Sequence, residues 1–146
     1  MVLAPLVSNI DCMNAANEST LCMAARHGYL DIANILLSWG ANLEFRYHDS
    51  VTPLFAAVEN NQDEMCQFLL DRKANVNATD HRRNCALHIA AKHGFSSIVV
   101  ILMKAGAATN ILNYREQTPL DVARNAEICR IILGMCNERS GRPTLC

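Results

Sequence analysis

The chain has 146 residues, a formal net charge of -1, 51% hydrophobic and 5% aromatic residues. That length suits one domain with a sizeable core, and near-neutrality excludes an overall pull toward nucleic acid or an anionic membrane, so charge can act only locally. Seven cysteines, an odd number without a C-x-x-C pair, point to reduced thiols and a cytoplasmic or nuclear setting rather than a disulfide framework.

In chain order, residues 1–10 are apolar but lack a basic start and are interrupted by Pro5, which argues against a secretory leader. No run of ~18 apolar residues is present to span a bilayer. Residues 2–13 align loosely with the end of a repeat unit, with Ser8-Asn9-Ile10-Asp11 in place of A-N-V-N, so 1–18 is expected to be a remnant or improvised N-terminal cap. With that end covered the chain should be a monomer; uncovered, it would expose an apolar patch and self-associate.

From there a phrase recurs. Leu21, Leu54, Leu87 and Leu120 stand 33 residues apart, each inside S-T-L-C-M-A-A, T-P-L-F-A-A-V, C-A-L-H-I-A-A or T-P-L-D-V-A. A fixed period of this size marks stacked supersecondary units. Thr52-Pro53 predicts a helix start, with a hydroxyl cap and proline at the first helical position. Asn60-Asn61, His27-Gly28 and His93-Gly94 predict its end, since these residues accept left-handed geometry.

A second helix follows in each unit. Its apolar stripe is predicted at Ile32, Ile35, Leu36 and Leu37, then Met65, Phe68, Leu69 and Leu70, then Ile98, Ile101 and Leu102. G-A-N-L-E, K-A-N-V-N and G-A-A-T-N then lead into turns. Units are placed near 19–51, 52–84, 85–117 and 118–136. The last is short, with eight residues from Leu120 to Ile128 against eleven from Leu87 to Ile98. A polar tail, 137–146, is expected to be disordered. Cys22, Cys66, Cys85 and Cys129 fall at core-facing positions, and many alanines suit thin, closely packed helices.

The phrases T-P-L-x-x-A, the mid-repeat glycine and G-A-x-x-N resemble the ankyrin repeat over residues 19 to about 135. The resemblance implies an all-α solenoid of helix-turn-helix units with β-hairpin-like fingers. Where the family carries glycine at the finger tip, this chain has Asn17, Ser50, Arg83 and Glu116, from which fingers of varied shape are expected. His88 alone keeps the family's first-helix histidine. Cys22, Phe55 and Asp121 replace it elsewhere, so the hydrogen-bond ladder is expected to be broken and packing to carry more of the stability.

In such stacks the fingers and first-helix faces form the binding side. Transferred to this sequence, that side comprises Arg26, His27, Tyr47, His48, Asp49, Glu59, Asn60, His81, Arg82, Asn84, Lys92, His93, Tyr114, Arg115 and Gln117. Its charged members are four basic and two acidic, and it holds four of the five histidines. An acidic partner protein and sensitivity near pH 6 to 7 are expected; the alternative is that these are solvated positions only. Tyr47, Tyr114 and Arg82 are the candidate anchors. Trp39 is assigned to shielding packing between repeats.

No nucleotide-binding or metalloprotease motif is present, and no cofactor is expected. His81, Cys85 and His88 lack a fourth ligand for zinc. Cys85 with His88 lacks an orienting third group for nucleophilic catalysis. No catalytic residue is assigned. His81-Arg82-Arg83 is too short a basic tip for nucleic acid. Asn77, in N-V-N-A after Leu69, resembles the asparagine hydroxylated in ankyrin repeats; its alternative reading is a turn asparagine bonding local backbone. The expected role is a non-enzymatic protein-interaction module, acting as inhibitor, competitor or adaptor. A structural segment of a larger ankyrin scaffold, or a pathogen-encoded mimic of a host regulator, are the alternatives.

Overall fold

The computed structural model describes residues 13–15, 18–46 and 50–140, with side chains to 135. Among these are seven helices and no strand. The chain forms two compact units, 1–75 and 76–146.

The first unit holds α1 (Thr20–His27), α2 (Leu30–Ser38), α3 (Pro53–Glu59) and α4 (Asp63–Asp71). Helix α1 packs on α2 and α3, α3 on α4, and α2 on α4. Both first helices begin with a hydroxyl cap: Ser19 Oγ accepts from Cys22 N at 3.2 Å, and Thr52 Oγ1 from Phe55 N at 3.4 Å. Pro53 opens α3 without losing a needed donor. At the far end of α1, Gly28 has φ 74°, while Tyr29 N donates to Ala24 O at 2.9 Å in a left-handed helix stop. A Cβ on Gly28 would also lie 2.5 Å from Gln62 Oε1. Gln62 uses its Nε2 to cap the Arg26 carbonyl at 3.2 Å.

The second unit holds α5 (Ala86–His93), α6 (Ser96–Lys104) and α7 (Ala126–Ser140), with α6 packed on both others. Gly94 repeats the left-handed stop of Gly28 at φ 79°. First helices are thin as expected: Ala24, Ala25, Ala56, Ala57, Ala90 and Ala91 are all buried. Cys22, Cys66 and Cys85 are buried free thiols, but Cys129 is only half-buried.

Four expectations need correction. Ile32 and Ile35 are 46% and 48% exposed, although Met65 at the equivalent of Ile32 is buried. Helix α2 packs on α1 and α4, and among the described residues no second helix of a preceding repeat covers its remaining side. Trp39 and Tyr29 extend the same exposed apolar ridge, so Trp39 does not shield packing among the described residues. The first helix of the 118–136 unit is absent: residues 119–122 form turns, and Leu120 is only half-buried. Finally, α7 continues to Ser140, so the chain from 137 to 140 is helical rather than disordered.

The fingers are more uniform than their sequences suggest. Ser50, Arg83 and Glu116 adopt φ 64°, 62° and 58°, the left-handed region that glycine would occupy at no steric cost. Lys73 does likewise at φ 71°, one period from Gly40 and Gly106 at 92° and 94°. Asn17 lies outside the described residues.

A candidate protein-recognition groove

Two fingers of the second unit, 80–84 and 113–117, are built on one plan. Asp80 Oδ1 accepts from Arg82 N and Asn84 N, both at 2.8 Å, and its Oδ2 accepts from Asn84 Nδ2 at 3.2 Å. One period later, Asn113 Oδ1 accepts from Arg115 N at 2.9 Å and Gln117 N at 3.1 Å. Each side chain closes its turn by satisfying backbone donors that would otherwise face water. The fingers are tied together as well. Tyr114 N donates to Arg82 O at 3.0 Å, and Asn113 Nδ2 to Asn84 Oδ1 at 3.1 Å.

His88 joins the base of the second finger to α5. Its Nδ1 accepts from Cys85 N at 3.1 Å, which makes Nε2 the protonated nitrogen that donates to Gln117 O at 2.9 Å. Burial pushes the imidazole below its ordinary pKa, against an opposing pull from Asp80 and Asp121, so His88 serves as a neutral strut. At the equivalent position of the next repeat, Asp121 makes only local bonds. Its Oδ2 accepts from Thr118 N at 2.8 Å and Thr118 Oγ1 at 2.9 Å, a reciprocal cap that holds the carboxyl below its usual range.

Between the fingers and α5 lies an open concavity of ≈ 600 Å³. It brings together six of the residues expected on the binding side: Arg82, Asn84, Lys92, Tyr114, Arg115 and Gln117. Its lining includes three cations and no carboxylate, with Ile89 and Val122 as half-buried apolar members. Among the described residues, no carboxylate pairs with Arg82, Lys92 or Arg115. Arg82 is exposed, and its Nε donates to His81 Nε2 at 3.2 Å.

The other expected residues are placed differently. His81 is exposed at the first finger tip, and exposed His93 stacks on Phe95 with centroids 5.4 Å apart. In the other unit His27 stacks on Tyr29 at 5.5 Å, Glu59 is exposed, and Asn60 Nδ2 donates to Ala56 O at 2.8 Å. Arg26 is committed inward: its guanidinium pairs at 2.8 Å with Glu18 Oε1, a buried carboxylate oxygen with no hydrogen bond besides. Tyr47, His48 and Asp49 lie outside the described residues. Asn77 is exposed, and its Oδ1 accepts from Ala108 N at 2.8 Å, a bond that reaches the following turn.

Sequence reasoning passed over Asp80 and Asn113, the residues that shape both fingers. Their signal is the 33-residue spacing Asn14, Asp80, Asn113, interrupted by Tyr47; Asn14 Oδ1 likewise accepts from Glu18 N at 3.1 Å.

Cys85 Sγ lies 3.1 Å from His88 Nδ1, but burial raises the thiol pKa and lowers that of the imidazole, the reverse of an activated thiolate pair. Among the described residues, no group of three or more His, Cys, Asp or Glu is arranged to hold a metal ion. No described helix is long and apolar enough to cross a membrane.

Comparison with known proteins agrees with this architecture. The family described as "Ankyrin repeats (3 copies)" matches residues 2–80, and "Ankyrin repeats (many copies)" matches 69–123. The mouse B-cell lymphoma 3 protein homolog is 33% identical over 127 residues, covering 86% of this chain and 28% of that protein. An ankyrin repeat protein of fowlpox virus is 34% identical over 109 residues, covering 73% of this chain and 32% of its own. The chain therefore spans less than a third of either relative. The crystal structure of the ankyrin repeat domain of Bcl-3, a member of the IkappaB protein family, superposes with TM-score 0.77 at 34% identity, covering 80% of this chain and 51% of that one. With its 33-residue period, paired helices and matching family description, the chain belongs to the ankyrin-repeat family.

Proposed function

We propose that this chain binds a partner protein through the groove between fingers 80–84 and 113–117 and α5, and that it acts as an inhibitor or competitor of that partner's other contacts. Ankyrin relatives support a protein-interaction role in general. The observation that carries the specific reading is the concavity whose three cations, Arg82, Lys92 and Arg115, have no carboxylate in the lining. Such a site favours an acidic contact surface and disfavours a basic one. Fingers held by Asp80 and Asn113 enter the complex already ordered, which lowers the entropy lost on binding.

Affinity capture followed by mass spectrometry tests this reading. Native protein is compared with a folded Arg82→Ala, Lys92→Ala, Arg115→Ala variant. Partners recovered by the native chain and lost by the variant are expected. Identical partner sets from both would place recognition elsewhere.

A further inference from the structure

We infer that the groove takes a short extended segment in which one aliphatic side chain is flanked by Asp or Glu residues. The inference rests on the recognition reading above and deepens it by naming the segment's chemistry.

The argument is an account of which groups still have capacity to bind. The amides of Asn84 and Asn113 are spent: Asn113 donates to Asn84 Oδ1 and accepts two backbone amides, and Asn84 donates to Asp80, whereas Gln117 accepts from Asn113 Nδ2 at 3.4 Å and keeps its Nε2 as a donor. The neutral imidazole of His88 is spent at both nitrogens. The neighbouring carboxylates, Asp80 and Asp121, are turned to backbone and hydroxyl donors. What remains is the cationic rim of Arg82, Lys92 and Arg115, the Nε2 donor of Gln117, the phenol of Tyr114 at 69% exposure, and the half-buried aliphatic surface of Ile89 and Val122.

A ligand must therefore bring anions to the rim and one apolar group to the floor. A concavity of ≈ 600 Å³ admits a few side chains, not a helix ~10 Å across over several turns. In an extended segment side chains alternate between two faces, so the residues two places before and after a floor-facing aliphatic residue share its face and can meet the rim. Carboxylates match the planar forks of Arg82 and Arg115 two bonds at a time.

The test is fluorescence anisotropy with a labelled synthetic peptide in which one Leu is flanked on both sides by Asp and Glu. We expect saturable binding that weakens with added salt. Lys92→Glu and Arg115→Glu, each checked for folding by circular dichroism, should weaken it about tenfold or more, while Lys92→Arg should retain it. Replacing the peptide's Leu by Ser should weaken it about tenfold, from the loss of one buried aliphatic side chain. Three outcomes overturn the inference: no binding, equal binding of the Leu and Ser peptides, or binding only when phosphoserine replaces the acidic residues. If the peptide fails while the triple variant still loses its captured partners, recognition by this groove stands and the proposed segment does not.

Discussion

Asn77 Oδ1 accepts the backbone amide of Ala108 at 2.8 Å, and the same bond occurs one period earlier, from Asn75 N to Glu44 Oε1 at 2.6 Å. Positions 44 and 77 are 33 residues apart, as are 75 and 108. A polar side chain after each G-A-x or K-A-N turn therefore anchors the equivalent turn of the following repeat. Asn77→Ala removes the acceptor and leaves the amide to water, at a cost of about 1 kcal/mol. Urea denaturation should show a lower midpoint; an unchanged midpoint would mean the bond has no net value.

The finger tips carry strain that sequence alone only hinted at. Arg83 and Glu116 sit at φ 62° and 58°, where an L-residue with a Cβ is disfavoured by roughly 1 kcal/mol. Arg83→Gly and Glu116→Gly should each raise stability by up to about 1 kcal/mol, reduced in part by the greater freedom of glycine in the unfolded chain. Thermal unfolding of both single variants checks this. A fall in Tm for both would show that side-chain contacts at the tips outweigh backbone strain.

Much of the architecture was legible because the period is carried by residues that bury themselves within one unit. Leu21, Leu54 and Leu87 are each 2% exposed or less, and the alanine pairs behind them are buried. Burial that depends on a neighbouring unit was not legible. Ile32 aligns with Met65 and Ile98, yet periodicity cannot tell whether another helix covers it. Leu120 keeps the repeat phrase, but the short last unit leaves only turns around it. Arg26 reads as a surface cation until the buried carboxylate of Glu18 claims it. The groove was half legible: its cations were found from their repeat positions, whereas Asp80 and Asn113, which pre-form it, hide inside a spacing that Tyr47 interrupts.

Acid should loosen the second unit through His88. Burial lowers its pKa in the fold, whereas the unfolded chain takes up a proton near the ordinary value of 6.5. Between the two values the unfolded state holds more protons, so stability is full above about pH 6.5 and declines as pH falls below it. Denaturation midpoints measured from pH 7.5 downward should show this decline, and a folded His88→Gln variant should show a flatter one. Equal slopes for both chains would remove His88 as the cause.

Thiol reactivity reports the packing of the helices around Cys22, Cys66 and Cys85. Burial pushes Cys22 up to about 11 and Cys66 up to about 12, and raises Cys85 as well. Native protein treated with iodoacetamide near pH 8 should keep all three unmodified while half-buried Cys129 reacts ahead of them. Peptide mapping reads the outcome. Rapid native labelling of Cys85 would contradict its burial at the start of α5 and reopen the Cys85–His88 pair as a reactive site.

Amide hydrogen exchange of the chain, alone and bound to a captured partner, tests the central claim most directly. Recognition by the second unit's groove predicts new protection at residues 80–92 and 113–122, with the exposed ridge of Tyr29, Ile32 and Ile35 unchanged. Protection confined to that ridge, with both fingers exchanging as in the free chain, would contradict it.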